Sequence, residues 1–140
     1  MPLGHEIADF TATELVRLVT RRELSPVEVV EACLERVARV NPVLNAVVTP
    51  NPRALDDARA LEQRVRRGEL LPLAGLPVGI KDVTPVAGLR TTYGSPVYAD
   101  HVPTEDALVV RRLRDAGAII LGKTNCPEFA AGGNTFNDVF

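Results

Sequence analysis

Leu76-Pro77-Val78-Gly79-Ile80-Lys81-Asp82-Val83 is the run on which the reading of this chain turns. Val78, Ile80 and Val83 are β-branched, and Gly75 and Pro77 mark the start, so the run predicts a short strand. Lys81 stands at its end. The chain holds sixteen Lys and Arg residues, and only Lys81 and Lys123 among them are lysine. Arginine stays protonated in proteins, whereas a partly buried lysine can give up its proton and act as a base. The plainer reading of Lys81-Asp82 is a solvated turn pair.

Downstream of this strand, residues 84–100 are rich in Pro, Gly, Thr and Tyr and read as a long, structured loop. Thr104-Glu105-Asp106 predicts a helix with an acidic first turn and Arg111, Arg112 and Arg114 on its polar face. Gly117 ends it. Ala118-Ile119-Ile120-Leu121 follows as an unbroken apolar strand, of the kind buried on both faces of a sheet. Strand, loop, helix, strand is the order of a right-handed crossover unit. Beyond it, Asn125 is expected to cap a short helix from Pro127 with Glu128 at its third position, and Gly132-Gly133-Asn134-Thr135 reads as a turn.

Upstream, Thr11 and Glu14 form a capping box ahead of the helical stripe Ala12, Leu15, Val16 and Val19. Ser25-Pro26-Val27-Glu28 is a stronger start signal. It opens a helix that places Val30, Cys33, Leu34 and Val37 on one face and is expected to stop before Asn41-Pro42. Cys33 reads as a small core hydrophobe. Asn45-Ala46-Val47-Val48-Thr49 predicts a strand. Asn51-Pro52 starts a third helix with Ala54, Ala58, Leu61 and Val65 inward and Gly68 past its end. Arg64, Arg66 and Arg67 suit a solvated last helical turn. The class is α/β, with helices packed on a partial mixed β-sheet.

At 140 residues, 46% hydrophobic and 24% charged, the chain has the size and composition of a globular domain with a real core. Its net charge of −2, with both signs interspersed, gives no electrostatic reason to expect nucleic acid as a partner. Met1-Pro2-Leu3-Gly4-His5-Glu6 lacks the basic and apolar regions of a secretion signal, and no apolar run nears the ~20 residues that span a bilayer. Cys33 and Cys126 suggest neither a disulfide framework nor a metal site. A cytoplasmic location, with no membrane association, is expected.

Leu73-Ala74-Gly75-Leu76-Pro77-Val78-Gly79-Ile80-Lys81-Asp82 resembles the first motif of the amidase signature family. Gly88-Leu89-Arg90-Thr91-Thr92-Tyr93-Gly94-Ser95 is similar to the stretch that follows it there. Ala116-Gly117-Ala118-Ile119-Ile120-Leu121-Gly122-Lys123-Thr124-Asn125, running into Pro127-Glu128-Phe129-Ala130, resembles the next block. Several motifs in order and at the right separation are far more specific than one.

The resemblance implies a serine hydrolase of amides with a Ser–cis-Ser–Lys triad, Lys81 matching its lysine, and no cofactor. It also implies that the segment from Ala130 through Gly132 and Gly133 is one wall of the site for a small-molecule amide substrate. The family carries both triad serines in Gly/Ser-rich segments further along. Here the only serines are Ser25, read as a helix cap, and Ser95, read as part of a turn. Residues 1–140 are therefore expected to be the N-terminal part of a single, truncated amidase domain, with 1–70 a helical segment and 71–140 the start of the catalytic core. On that reading the sheet is unfinished, and an exposed edge offers a route to homo-oligomers or other association. The runner-up within the family is a protein similar to the amidase component of an amidotransferase, acting on misacylated tRNA. Two further readings stand beside these: a cysteine hydrolase built from Cys126, Lys81 and Glu128, and a non-catalytic interaction module. Lys123 is expected to anchor a loop or face solvent.

Overall fold

A computed structural model describes residues 7–140; the reading of Met1–Glu6 concerns residues outside that range. The first helix, α1 (Ala12–Thr20), begins with the expected capping box: the Glu14 amide donates to Thr11 Oγ1, and the Thr11 amide to Glu14 Oε2. The second, α2 (Pro26–Leu44), has the same reciprocal pair between Ser25 and Glu28, with Pro26 in its first turn. These caps satisfy amides that a helix start would otherwise leave orphaned.

α2 does not stop before Asn41-Pro42; Pro42 lies inside it and the helix ends at Leu44, with Asn45 left-handed (φ 47°). The reason lies in the chain that follows. The Asn41 side chain donates to Val47 O and accepts from the Val47 amide, both at 2.8 Å, which clasps the last turn against the start of strand β1 (Val47–Pro50). That pair of bonds offsets the bond that proline removes. Helix α3 (Ala54–Arg66) buries Ala54, Ala58, Leu61 and Val65, as its periodicity predicts. Cys33, read as a core residue, is only half-buried.

Strand β2 (Pro77–Lys81) and strand β3 (Ile119–Thr124) pair in parallel, and β1 runs antiparallel on the other side of β3, giving the order β1-β3-β2. Ile80 lies opposite Lys123 and Lys81 opposite Thr124. The central strand is close-fitting: a Cβ at Gly122 would lie 2.6 Å from the Thr49 carbonyl oxygen, so only glycine admits β1 there. Helix α4 (Leu108–Asp115) forms the crossover. It starts four residues later than the Thr104 signal suggests, because Asp106 does not cap it. Asp106 Oδ1 instead accepts from the Ala87 amide at 2.7 Å and Oδ2 from Arg114 Nε at 3.0 Å, and these longer-range bonds hold residues 104–107 out of the helix.

Consecutive residues of β3 feed two cores. Ile119 joins the cluster built by Leu15, Val19, Val29, Val30, Ala58 and Leu61, whereas Ile120 joins Ile80, Val86, Leu89 and Val110 on the opposite face. Alternation along a strand requires this division, and it explains why the run is apolar without a break. The protein is thus α/β, with four α-helices among the described residues around a small mixed sheet. Among the described residues no helix is long and apolar enough to cross a membrane.

Candidate active site

The end of β2 at Lys81 and the turn residue Asp82 that follows it point to opposite sides. Ile80 and Asp82 are buried, Lys81 between them is exposed, and period-two alternation is the cause. The partial burial expected of Lys81 is therefore not supplied by the described residues, and among them the Lys81 side chain makes neither a hydrogen bond nor a salt bridge. Its backbone is held on both sides: the Asp82 amide donates to Thr124 O (2.9 Å), and the Thr84 amide donates to Lys81 O (2.9 Å). The solvated Lys81-Asp82 turn pair does not exist, since Asp82 faces inward with no exposed surface.

The partner of Asp82 is the other lysine. Lys123 is wholly buried, with Nζ 3.4 Å from Asp82 Oδ1, so of the two expectations for Lys123 solvent exposure is excluded. It does anchor a loop. Nζ donates to Thr84 O at 2.8 Å and to Thr91 Oγ1 at 2.6 Å. Asp82 Oδ2 accepts from the Thr92 amide (3.0 Å) and from Thr92 Oγ1. Burial pushes the Lys123 ammonium pKa down, and the facing carboxylate pulls it back up. This buried quartet was not foreseen. The available signal was a lysine closing an apolar strand in a chain that otherwise uses arginine.

Asp82 also sets the position of the second candidate region. Its carbonyl accepts from the Tyr93 amide at 3.0 Å, and the Tyr93 carbonyl accepts from the Phe129 amide at 2.7 Å. Two backbone bonds thus connect the turn bearing Lys81 to Phe129 and Ala130, both left-handed (φ 49° and 58°). Gly94 permits the approach: a Cβ there would lie 3.0 Å from the Cys126 carbonyl oxygen. The expected helix from Pro127 is only a single 3-10 turn, Glu128–Ala130, because Asn125 is engaged elsewhere. Its Oδ1 accepts from the Cys126 amide and from Asn137 Nδ2.

Ala130, Gly132 and Gly133 are all exposed. Gly132 and Gly133 line an open concavity of about 440 Å³ with Gly94, Pro127, Glu128 and Asn137; Ala130 and Lys81 are not among its lining residues. At Gly133 an added Cβ would meet nothing within 4 Å, so packing does not demand glycine there. Neither serine is placed as a nucleophile. Ser25 Oγ caps α2, and Ser95 Oγ is buried without a hydrogen-bond partner among the described residues. The cysteine alternative fails on the same ground. Cys126 has no exposed surface, burial and then the Asp82 charge raise its thiol pKa, and the opposing effects of Lys81 and Lys123 are smaller. A buried thiol held protonated is inert as a nucleophile.

Direct comparison with known proteins matches the motif resemblance of the sequence. A sequence model of the amidase family, described as "Amidase", covers residues 28–140. The chain belongs to that family. It is 46% identical over 132 residues to a glutamyl-tRNA(Gln) amidotransferase subunit of Acidothermus cellulolyticus, spanning 93% of this chain and 26% of that protein. It is 45% identical over 132 residues to an acylamidase of Rhodococcus erythropolis, spanning 93% and 28% respectively. Native peptide amidase from Stenotrophomonas maltophilia superposes with a TM-score of 0.83 at 38% identity, over 91% of this chain and 27% of that one. The chain therefore spans between a quarter and a third of the length of these relatives, and its fold is an incomplete amidase-signature fold.

Proposed function

We propose that these residues carry the general base and part of the substrate wall of a serine amidase. The observation that carries the reading is Lys81: an exposed amine, free of hydrogen bonds and salt bridges within the described residues, on a strand end fixed by backbone bonds within an amidase-family motif. The neutral lysine accepts a proton through a bridging serine, freeing a second serine to attack the amide carbonyl. The C–N bond breaks as the relay returns that proton to the leaving amine, and water then releases the acid from the acyl-enzyme. Both serines come from outside these 140 residues, as do the backbone amides that hold the oxyanion. In the N-terminal part up to residue 70, α1, α2 and α3 act as a helical support while β1 joins the sheet, and 71–140 act as the start of the catalytic core of one domain. Ala130, Gly132 and Gly133 contribute surface to the amide substrate, where small residues leave room for a ligand to approach the backbone.

The test has two parts. The 140-residue polypeptide alone should release no product from an amide. In the complete natural protein, Lys81→Arg should be nearly as inactive as Lys81→Ala, because guanidinium keeps its proton at any working pH. An arginine variant that retains most of its activity would reduce Lys81 to a fixed positive charge and end the relay. Gly133→Val should raise KM for bulky amides more than it lowers kcat.

A second reading is favoured by the 46% identity to the amidotransferase component. On this reading the amide is glutamine, and the released ammonia passes to a misacylated tRNA. Turnover of glutamine stimulated by glutamyl-tRNA(Gln), with no hydrolysis of acyl amides, would select it.

A further inference from the structure

We propose that Asp82, Thr92 and Lys123 are positioning residues: they fix the direction in which Lys81 leaves β2 and so hold the base in place. This rests on the reading of Lys81 as the base. Lys81 is the last residue of β2 and Asp82 follows it with its amide still bonded to Thr124 O, so the two side chains leave on opposite sides and whatever forces the Asp82 carboxylate inward forces Lys81 outward. A slip of one residue would exchange them. The pairing of β2 with β3 already carries one irregularity, between Val78 and Gly79, so strand hydrogen bonding alone does not make that register secure.

The restraint comes from a buried network of hydrogen bonds and one ion pair. Lys123 Nζ donates to Thr84 O and Thr91 Oγ1 and stands 3.4 Å from Asp82 Oδ1 as an ion pair, that oxygen accepting no hydrogen bond among the described residues. Thr91 Oγ1, accepting from Lys123, donates its own proton to Leu89 O at 3.0 Å. Thr92 Oγ1 donates to Asp82 Oδ2 and accepts from the Gly94 amide at 3.1 Å. Lys123, Asp82, Thr91 and Thr92 have no exposed surface. Such a directed arrangement admits one geometry, whereas an apolar core of the same volume would admit several.

Burying two charges is an expensive way to gain stability, and a well-packed apolar pair often does as well or better. What the charged pair adds here is location. It ties the end of β2 to β3 and to both ends of the 84–92 loop, directly beneath Lys81. Through Thr92 and Asp82 it also holds Tyr93, on which Phe129 hangs. Lys81 itself takes no part in the network and remains available for chemistry.

The experiment uses the complete natural protein, with kcat and KM measured on an amide substrate and normalised to the folded fraction from circular dichroism. Thr92→Val removes the hydroxyl at nearly constant volume, Thr92→Ser restores it, and Asp82→Asn removes the charge. Thr92→Val and Asp82→Asn should each lower kcat by about 10–100-fold with KM within about twofold, since a misplacement near 1 Å costs that much, and Thr92→Ser should recover most of the loss. Should Asp82→Asn fail to fold, the valine and serine variants decide alone. Wild-type kcat in Thr92→Val, a rise in KM alone, or no recovery in Thr92→Ser overturns the proposal. Lys81→Ala is measured alongside. If it keeps activity, the reading of Lys81 as the base has failed; if it is inactive while Thr92→Val is normal, only the positioning role has failed.

Discussion

The apolar faces of β3 and its carboxyl end are held by different physics. On the face toward α1, α2 and α3, Ile119 packs among aliphatic side chains that alternate along capped helices. At the carboxyl end of the strand, Lys123 sits in a cage of directed polar contacts with Asp82, Thr84 and Thr91. Dispersion and the hydrophobic effect have no direction, so the first region tolerates changes that conserve volume and pattern. Hydrogen bonds and ion pairs at low dielectric have direction, so the second tolerates almost none. A site that must hold one amine in one place is better built on the second kind.

That contrast can be broken in graded ways in the complete natural protein. The largest effect belongs to Lys81→Ala, which on the proposed role of Lys81 as general base should lower amide turnover by about 10²–10⁴-fold, with little change in stability because Lys81 is exposed. Steady-state kinetics beside a thermal melt checks both halves.

Next come the buried charges. Asp82→Ala or Lys123→Met should each cost about 3–5 kcal/mol in denaturant unfolding, because each strands the other charge in the interior. The double variant should be far less destabilised than the sum of the singles, and additive losses would mean that the two groups are not coupled. Ile120→Ala should cost about 2–5 kcal/mol as a cavity, and Ile120→Val only about 0.5–1.5 kcal/mol. A valine variant as damaged as the alanine one would show that the apolar face is as exacting as the polar end. Ser25→Ala should cost about 1 kcal/mol by removing a cap that a local helix start supplies.

The smallest effect is in pH. The Cys126 thiol is held protonated by burial, so its contribution is fully present below the ordinary thiol pKa and is lost as pH rises through the raised folded value. Lys123 acts in the opposite sense, since its depressed pKa makes the folded state gain stability as pH rises toward the ordinary lysine value. Cys126→Ala should flatten the alkaline loss, and maleimide should label Cys126 more slowly than half-buried Cys33 in the folded protein.

The local elements and their faces were legible in the residues themselves. Both capping boxes, the inward residues of α3, the adjacency of β2 and β3 and the doubly buried run through Ile119 and Ile120 all follow from short-range rules of spacing and capping. Lys81 was marked too, by its residue type in an arginine-rich chain and by the company of the amidase motifs. The remaining features had to wait for the folded chain, and each case turns on a partner distant in sequence. Pro42 stays helical because Asn41 clasps Val47, and Asp106 leaves its helix start for Ala87 and Arg114. Asp82 turns from its neighbour Lys81 to Lys123, 41 positions along the chain. Periodicity and capping see at most a few residues ahead, whereas a buried polar group is satisfied by whatever the fold brings within about 3 Å of it.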